Sequence, residues 1–283
     1  LRSEISVYVT EATMRRVAAL HGPRAAARLR TIRCGSLLPA DLELSARGQR
    51  KTYEILYLGD FAGWHACLDE MCGVSRLRRV WRGLNALGRH VRKRLDYVAH
   101  SPLPVARALR QAIRAVPEAS NRVHLRILGS SYDPALIDRV LQTAQIADLV
   151  RVEGKVPYRD AIRAAHAADG LFLSLPGQPA GGIDHRISSK TYDYLTTDLP
   201  ILAALPPGAN RDLLQGIPGV FLVGARDEQA MAEVLTGWLR AWFVRGEALR
   251  FPREQYRELW DYQRLARQFS CLVHETLQRN PVA

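Results

Sequence analysis

Several features that mark other protein classes are missing from this 283-residue chain. No run of about 18 apolar residues occurs, so no segment is predicted to span a bilayer. The four cysteines show no C-x-x-C spacing and no paired histidine motif, which argues against a zinc site or a disulfide framework: Cys34, Cys67, Cys72 and Cys271. Internal repeats and low-complexity tracts are also lacking. A reducing, cytosolic setting is therefore expected.

The composition is that of a soluble globular protein, with 47% hydrophobic and 24% charged residues. The chain is long enough for one or two domains. Lys and Arg outnumber Asp and Glu by 40 to 28, which gives a net charge of +12. Such a surface attracts phosphorylated ligands, anionic lipid and nucleic acid alike, so charge alone does not choose a partner.

Strand-like runs alternate with helical patterns along most of the chain. Strands are predicted at Tyr53–Leu58, Arg122–Leu128, Leu149–Glu153, Gly170–Leu175 and Gly219–Val223. Since parallel strands need long crossover connections, this βα order predicts an α/β fold with a doubly wound parallel sheet.

The stretch from Gly181 to Leu205 combines a loop, a helix and a strand. Ser188 and Ser189 are N-cap candidates for a helix that runs through Leu195. The first N–H groups of a helix lack acceptors and carry partial positive charge. The start of this helix is therefore predicted to bind an anion.

Lys190 and Asp193 follow on the same helix, one turn apart. They would place a cation near the bound anion and a carboxylate one turn deeper, where hydroxyl groups could donate to it. A nucleotide offers both a phosphate and a ribose. The alternative is an ordinary βαβ crossover in which both side chains are solvated.

The runs KTYDYL (190–195) and DLPILA (198–203) resemble a segment of GT-B-fold glycosyltransferases, K-x-x-E-Y-L-a-x-x-x-P-[IV]-[LI]-A. The likeness is to the retaining, family 4-like group. There the helix start takes the donor diphosphate, and the acidic residue, here Asp193 instead of Glu, binds the donor ribose. The partner Glu of the family falls on His185, with Asp184 beside it. The resemblance thus implies catalytic roles for His185 and Asp184, and donor-binding roles for Ser188, Ser189, Lys190, Asp193 and Arg186.

A second segment, GKVPY (154–158), resembles the G-x-[VL]-[PS]-[YH] turn whose backbone meets the nucleotide base in this family. It implies donor contacts at Gly154, Lys155, Val156 and Pro157.

The loop after Leu58 lacks the Arg and Lys that commonly hold the phosphates in this family. The cations that could replace them are Arg47, Arg50, Lys51 and Arg186. Family members generally need no metal, and the strand-end loops contain no Asp-x-Asp, so no metal cofactor is expected.

The resemblance also implies a domain plan. Residues 1–50 are expected to form the end of an N-terminal acceptor domain and a linker. Residues 51–252 form the nucleotide-sugar-binding domain, with a helical insertion at about 64–96, and 253–283 form a C-terminal bracing helix. Most of the acceptor domain would lie outside this chain, which is then not expected to transfer sugar by itself.

The implied function is transfer of a hexose, with retention of configuration, from a nucleoside diphosphate sugar to a polysaccharide or glycolipid acceptor. The expected partners are a nucleotide sugar and a carbohydrate or lipid-linked acceptor, and no nucleic acid. One alternative is a catalytically silent GT-B-like module that binds nucleotide or a membrane surface. Another is a GT-B-fold epimerase, which would need an acid–base constellation that the sequence does not show.

Residues 76–95 are rich in arginine and contain no acid, while apolar residues recur there at helical spacing. We expect this basic amphipathic segment to bind anionic vesicles, because each Lys or Arg near such a surface contributes about 1 kcal/mol. The corresponding location in the cell would be the inner face of a membrane. Sedimentation with anionic and neutral vesicles at two salt concentrations measures this binding. Equal sedimentation would favour the alternative, in which the apolar stripe packs on the protein's own sheet.

Overall fold

A computed structural model describes residues 5–38, 42, 51–73, 95–178 and 182–279. The strands are β1 (Ser6–Tyr8), β2 (Leu29–Thr31), β3 (Tyr53–Leu58), β4 (Val123–Ser130), β5 (Val150–Gly154), β6 (Gly170–Ser174), β7 (Ile201–Ala204) and β8 (Val220–Val223). The helices are α1 (Glu11–His21), α2 (Pro23–Ala26), α3 (Trp64–Cys72), α4 (Pro102–Ala115), α5 (Pro134–Thr143), α6 (Tyr158–Ala167), α7 (Ser189–Leu195), α8 (Ala209–Leu214), α9 (Glu228–Leu239), α10 (Glu254–Leu259) and α11 (Tyr262–Arg279). A π-helical turn, Arg240–Val244, continues α9.

Six parallel strands form the central sheet in the order β5-β4-β3-β6-β7-β8. The chain builds outward from β3 to β5 and then returns to place β6 on the other side of β3, where Ile55 pairs with Gly170. The predicted doubly wound parallel sheet is thus confirmed. The strand order reverses between β3 and β6, and open α/β sheets bind ligands at the carboxyl ends of the strands that flank such a reversal.

Helices cover the sheet on both faces. Ile55 and Tyr57 of β3 face a core that includes residues of α4 and α9, whereas Leu56 and Leu58 face the core that receives α7. Burial on both faces explains why β3 is apolar from Ile55 to Leu58 instead of alternating with polar residues.

The N-terminal part of the predicted insertion belongs to the core. In α3, Trp64 and Cys67 are fully buried against the first of these cores. The assignment of residues 64–96 as an insertion stays a prediction. Residues 74–94, which hold nearly all of the Arg-rich segment, lie outside the described residues. Within the described ranges, no helix combines the length and apolarity that crossing a bilayer requires.

The predicted linker also contains regular structure. Residues 23–31 form α2 and β2, and β2 pairs in parallel with β1, with Ser6 opposite Leu29. Elements of four and three residues are too short to show a helical or alternating pattern, so no sequence pattern predicts α2 or β2.

The single C-terminal helix that the sequence predicts is divided into α10 and α11. The break lies at Trp260, whose carbonyl accepts a hydrogen bond from the Ser36 N–H at 2.9 Å, while the Tyr262 N–H donates to the Ser36 carbonyl at 3.2 Å. The C-terminal segment therefore returns to residues that precede the central sheet.

Arg253, at the start of α10, is fully buried and holds the turn between α7 and β7. Its guanidinium donates to the carbonyls of Thr197 and Leu199, both at 2.9 Å, and to that of Pro218 at 2.8 Å. Such a fork satisfies three carbonyls with one side chain, two of them on the buried residues Thr197 and Leu199. It connects the end of α7 to α10.

We expect Arg253→Met to lower the free energy of unfolding by about 3–5 kcal/mol, because the buried carbonyls of Thr197 and Leu199 and the carbonyl of Pro218 would lose their donor. Denaturant unfolding measures the change. Arg139→Met, on an exposed position of α5, is the matched control and should change stability by less than about 0.5 kcal/mol. Equal stability of the two variants would contradict the structural role of Arg253.

Candidate functional site

The carboxyl ends of β3 and β4 come unusually close together at two glycines. Gly59 (φ 90°) and Gly129 (φ 115°) both have backbone angles that side-chain-bearing residues avoid, and a Cβ on Gly129 would lie 3.1 Å from the Cα of Gly59. Asp60 then bridges the two strand ends, since its carboxylate accepts hydrogen bonds from the Ser131 N–H at 2.9 Å and the Ser130 hydroxyl at 3.2 Å. The result is a closely packed backbone edge beside the strand reversal.

Lys190 of α7 reaches across to this edge. A Cβ on Gly59 would lie 3.3 Å from its Nζ, and the Nζ stands 5.2 Å from the ring centroid of Tyr57, in cation–π range. Burial lowers the pKa of the Lys190 ammonium, while attraction to Asp193 and Asp60 opposes that shift. A cation is thus held in a partly desolvated position at the strand reversal.

Asp193 lies one turn further along α7 and is 8% exposed. Its Oδ1 accepts a hydrogen bond of 2.6 Å from the Tyr158 hydroxyl, which in turn lies 3.3 Å from the Ser36 hydroxyl. Burial raises the pKa of the Asp193 carboxyl, and the hydrogen bonds from Tyr158 and Ser36 and the charge of Lys190 oppose the shift.

The predicted turn at residues 154–157 connects to the site through Tyr158. Gly154 ends β5, and Lys155, Val156 and Pro157 lead into α6 as exposed residues at the carboxyl edge of the sheet. The sequence motif predicts this turn but gives no role to the Tyr158 hydroxyl. The aromatic residue that closes the motif was the signal that could have drawn attention to it.

The helix start differs from the prediction in two respects. Ser188 occupies the N-cap position but makes no side-chain capping bond. Its N–H donates to Oδ1 of Asn210 at 3.0 Å, and the same oxygen accepts from the Thr191 hydroxyl at 2.8 Å. The Ser188 N–H is therefore not open to a phosphate. The N–H groups of Ser189 and Lys190 stay predicted donors to a phosphate.

Asp184 fixes the loop that precedes α7. Its carboxylate pairs with the Arg186 guanidinium at 2.6 Å and accepts from the Gln178 amide at 3.1 Å. Burial raises the pKa of this carboxyl, but the Arg186 hydrogen bonds outweigh it and hold the pKa below its usual range. The backbone carbonyl of Asp184 occupies the space where a Cβ of Gly208 (φ 138°) would lie. Asp184 is thus engaged in loop structure, and its catalytic role stays a prediction.

His185 is held through its backbone, because the Thr10 hydroxyl donates to its carbonyl at 3.1 Å. Its buried Nδ1 has no hydrogen-bond partner among the described residues. The contact with Thr10 joins the start of α1 to the loop before α7.

Of the cations predicted to replace the family's basic pair, the structure describes Lys51 and Arg186. Lys51 lies before β3, at the opposite end of that strand, where its carbonyl accepts from Arg122. Arg186 is paired with Asp184, and Arg47 and Arg50 lie outside the described residues. The described part of the chain also holds no group of three or more His, Cys, Asp or Glu side chains that could ligate a metal. The expectation that no metal is needed stays a prediction.

No protein-family model and no curated protein sequence matches this chain. Solved structures do match. They include the pneumococcal O-GlcNAc transferase GtfA in complex with UDP and GlcNAc (11% identity, TM-score 0.56), sucrose-phosphate synthase from Thermosynechococcus elongatus (16%, 0.56) and a glycosyltransferase from Rickettsia africae (11%, 0.59). Each match covers 97% of this chain.

The chain has the GT-B glycosyltransferase fold. It covers 45%, 58% and 64% of these three structures, and so spans about half the length of the proteins it matches. A single Rossmann-like domain of the GT-B fold fits that coverage. The GT-B resemblance seen in the segment at 190–203 is thus confirmed at the level of the fold.

We expect Asp193→Asn to unfold at the same or a higher temperature than the wild type at pH 7. A carboxyl whose pKa is raised in the folded state favours folding while it is protonated, and it loses that contribution as pH rises through the folded pKa. Asn removes the buried charge and keeps an acceptor for Tyr158. Thermal unfolding from pH 7 down to pH 4 measures the difference, which should shrink as wild-type Asp193 becomes protonated.

Asp138→Asn, at an exposed position of α5, is the control for a general charge effect. An Asp193→Asn protein that is less stable than the wild type at pH 7 would mean that attraction to Lys190 outweighs the desolvation of the carboxylate.

Proposed function

We propose that this chain is the donor-binding part of a retaining glycosyltransferase, which takes a hexose from a nucleoside diphosphate sugar. The acceptor is a hydroxyl of a polysaccharide or glycolipid. The observation that carries the proposal is the placement of Lys190 and Asp193, one turn apart on α7, at the point where the strand order reverses between β3 and β6.

The geometry of the edge supports a nucleotide as the ligand. The absence of a side chain at Gly59 lets Lys190 come close to the strand end, so that its ammonium stands beside the two glycines. Phosphates at this place would meet the ammonium and the N–H groups of Ser189 and Lys190. The ribose would then lie toward Asp193, and the base toward the turn at residues 154–157. This order, cation first and carboxylate one turn on, follows the order of phosphate and ribose in a nucleotide.

Lys190 would also assist the transfer step. When the sugar–phosphate bond breaks, negative charge develops on the departing diphosphate. A cation fixed in a desolvated position stabilises that charge more strongly than a solvated one, and needs no reorganisation at that moment. The sugar would lie toward the loop of His185 and Asp184, where Asp184 keeps Arg186 in position.

The proteins with similar folds support glycosyl transfer as the reaction. The structures of GtfA and of TarM from S. aureus were both determined with UDP, and WaaB is a lipopolysaccharide outer core galactosyltransferase. A nucleotide sugar as donor and a carbohydrate as acceptor are consistent with these proteins. A donor-hydrolysis assay distinguishes an active enzyme from a module that only binds nucleotide.

We expect Asp193→Ala to weaken nucleotide-sugar binding by about 10- to 150-fold, the range that corresponds to the loss of a charge-assisted hydrogen bond of about 1.5–3 kcal/mol. Lys190→Ala should weaken diphosphates more than the bare nucleoside, because the ammonium acts on the phosphates. A thermal-shift screen of UDP-, GDP-, dTDP- and ADP-glucose selects the ligand, since saturation at 100 times Kd stabilises the protein by about 2.7 kcal/mol. Calorimetry then gives the affinities.

Asp138→Ala is the matched control, because it removes an exposed carboxylate from α5 and should leave the affinity unchanged. Unaltered binding by Asp193→Ala, with measurable binding by the wild type, would show that the carboxylate does not contact the ribose.

A further inference from the structure

His100 stands at the strand reversal, although no motif in the sequence points to it. The loop that carries it is fixed by two backbone hydrogen bonds of 2.9 Å between Asp96 and Gly177, just beyond the end of β6. On its other side, the Ser101 side chain caps α4 by accepting from the Leu103 N–H. The imidazole is thus placed against the carboxyl end of β6 by elements on both sides.

The ring contacts are well defined. Nδ1 lies 3.0 Å from the Ser174 hydroxyl, at the last residue of β6. The ring packs edge-on against Phe61 at 5.5 Å and Tyr57 at 6.1 Å between centroids. Because the Lys190 ammonium also rests on Tyr57, the imidazole and the ammonium share one aromatic neighbour. Nδ1 is the ring nitrogen with a hydrogen-bond partner among the described residues, so Nε2 is the atom that would reach a ligand.

Three charged groups act on His100, each from a different element. Lys190 belongs to α7, Arg186 to the loop before α7, and Asp60 to the loop after β3. Burial, the largest cause, lowers the pKa of His100 together with the charges of Lys190 and Arg186, and Asp60 opposes them, so that the pKa lies at about 4. Without a ligand the imidazole is neutral at pH 7. His100 then adds no third positive charge to those of Lys190 and Arg186.

We propose that His100 takes up a proton when a nucleoside diphosphate binds at the β3–β6 reversal, and that it then donates a hydrogen bond from Nε2 to a phosphate. One proton moves from solvent to the imidazole, whose charge changes from 0 to +1, and no covalent bond changes. This inference rests on the proposed function.

The physical reason is the change of neighbours. The phosphates bring negative charge against a ring that previously faced two cations, and a nearby anion favours the protonated form of histidine. A permanent third cation here would repel Lys190 and Arg186 in the free protein. A histidine instead supplies a positive charge only when the phosphate is present. The loop after β3 offers no cationic side chain at this edge.

The linkage gives the sign of the effect. Proton uptake makes affinity rise as pH falls, by up to about tenfold per pH unit between the free and bound pKa values of His100. The four nucleoside diphosphate glucoses are suitable probes, because each phosphate is linked through two of its oxygens. Neither phosphate therefore has the second ionisation that a terminal phosphate shows at about pH 6. Protonation of Asp193 would act in the opposite direction, since a protonated carboxyl accepts hydrogen bonds less well.

The test is calorimetry of UDP-, GDP-, dTDP- and ADP-glucose with this chain, at pH 6 and pH 7.5, in buffers of different ionisation enthalpy. The wild type is expected to bind more tightly at pH 6 and to take up as much as one proton per ligand. His100→Gln should abolish the uptake and weaken binding at pH 6 by about tenfold, the effect of one pKa unit. His65→Gln, which alters an exposed histidine on α3, should behave as the wild type.

His100→Asn is the second variant, with circular dichroism to verify that each variant is folded. Zero proton uptake by the wild type would overturn the proposal without any variant, and so would equal uptake by wild type and His100→Gln. Either result leaves nucleotide binding intact and concerns His100 alone. Failure of all four sugars to bind would instead overturn the proposed function, and the role of His100 with it.

Discussion

The positions of Lys190 and Asp193 depend on α7, a helix of seven residues that is too short to be stable on its own. Tertiary contacts hold it at both ends. Asn210 accepts from the Ser188 N–H at its start, and the carbonyls just beyond its end accept from Arg253 and from Arg257, which contacts Thr196. Between these anchors, residues 191–195 are buried. The positions of these two candidate site residues therefore depend on residues that come later in the chain.

The fold could be predicted from the sequence because its information is local. Buried parallel strands are largely apolar, as Tyr53–Leu58 is from Ile55 onward, and the βα order restricts the topology. Much of the site could not be predicted in the same way. The Ser188 N–H is occupied by an amide 22 positions away, and Tyr158 reaches Asp193 across 35 positions. Contacts of this kind exist only after the chain has folded, and neither composition nor periodicity contains them.

The charge of the chain is not concentrated at the candidate site. Although the net charge is +12, Arg186 is paired with Asp184. Lys190 has Asp193 one turn away and Asp60 nearby, and the pKa of His100 leaves its ring neutral at pH 7. In the described part of the chain, this edge balances its cations against carboxylates. Selectivity for a phosphorylated ligand would therefore come from where charges are fixed and not from bulk attraction, which acts on any anion.

The close contact at Gly208 has a mechanical consequence. The Asp184 carbonyl fills the space of a side chain there and accepts from the Ala209 N–H at 2.8 Å, while the Asp184 N–H donates to the Pro207 carbonyl at 3.0 Å. Asp184 and the turn that opens α8 are thereby joined through both backbone groups of Asp184. Any displacement of Asp184 would also move the start of α8. Because α8 leads into β8, the motion would pass to the outer strand of the sheet.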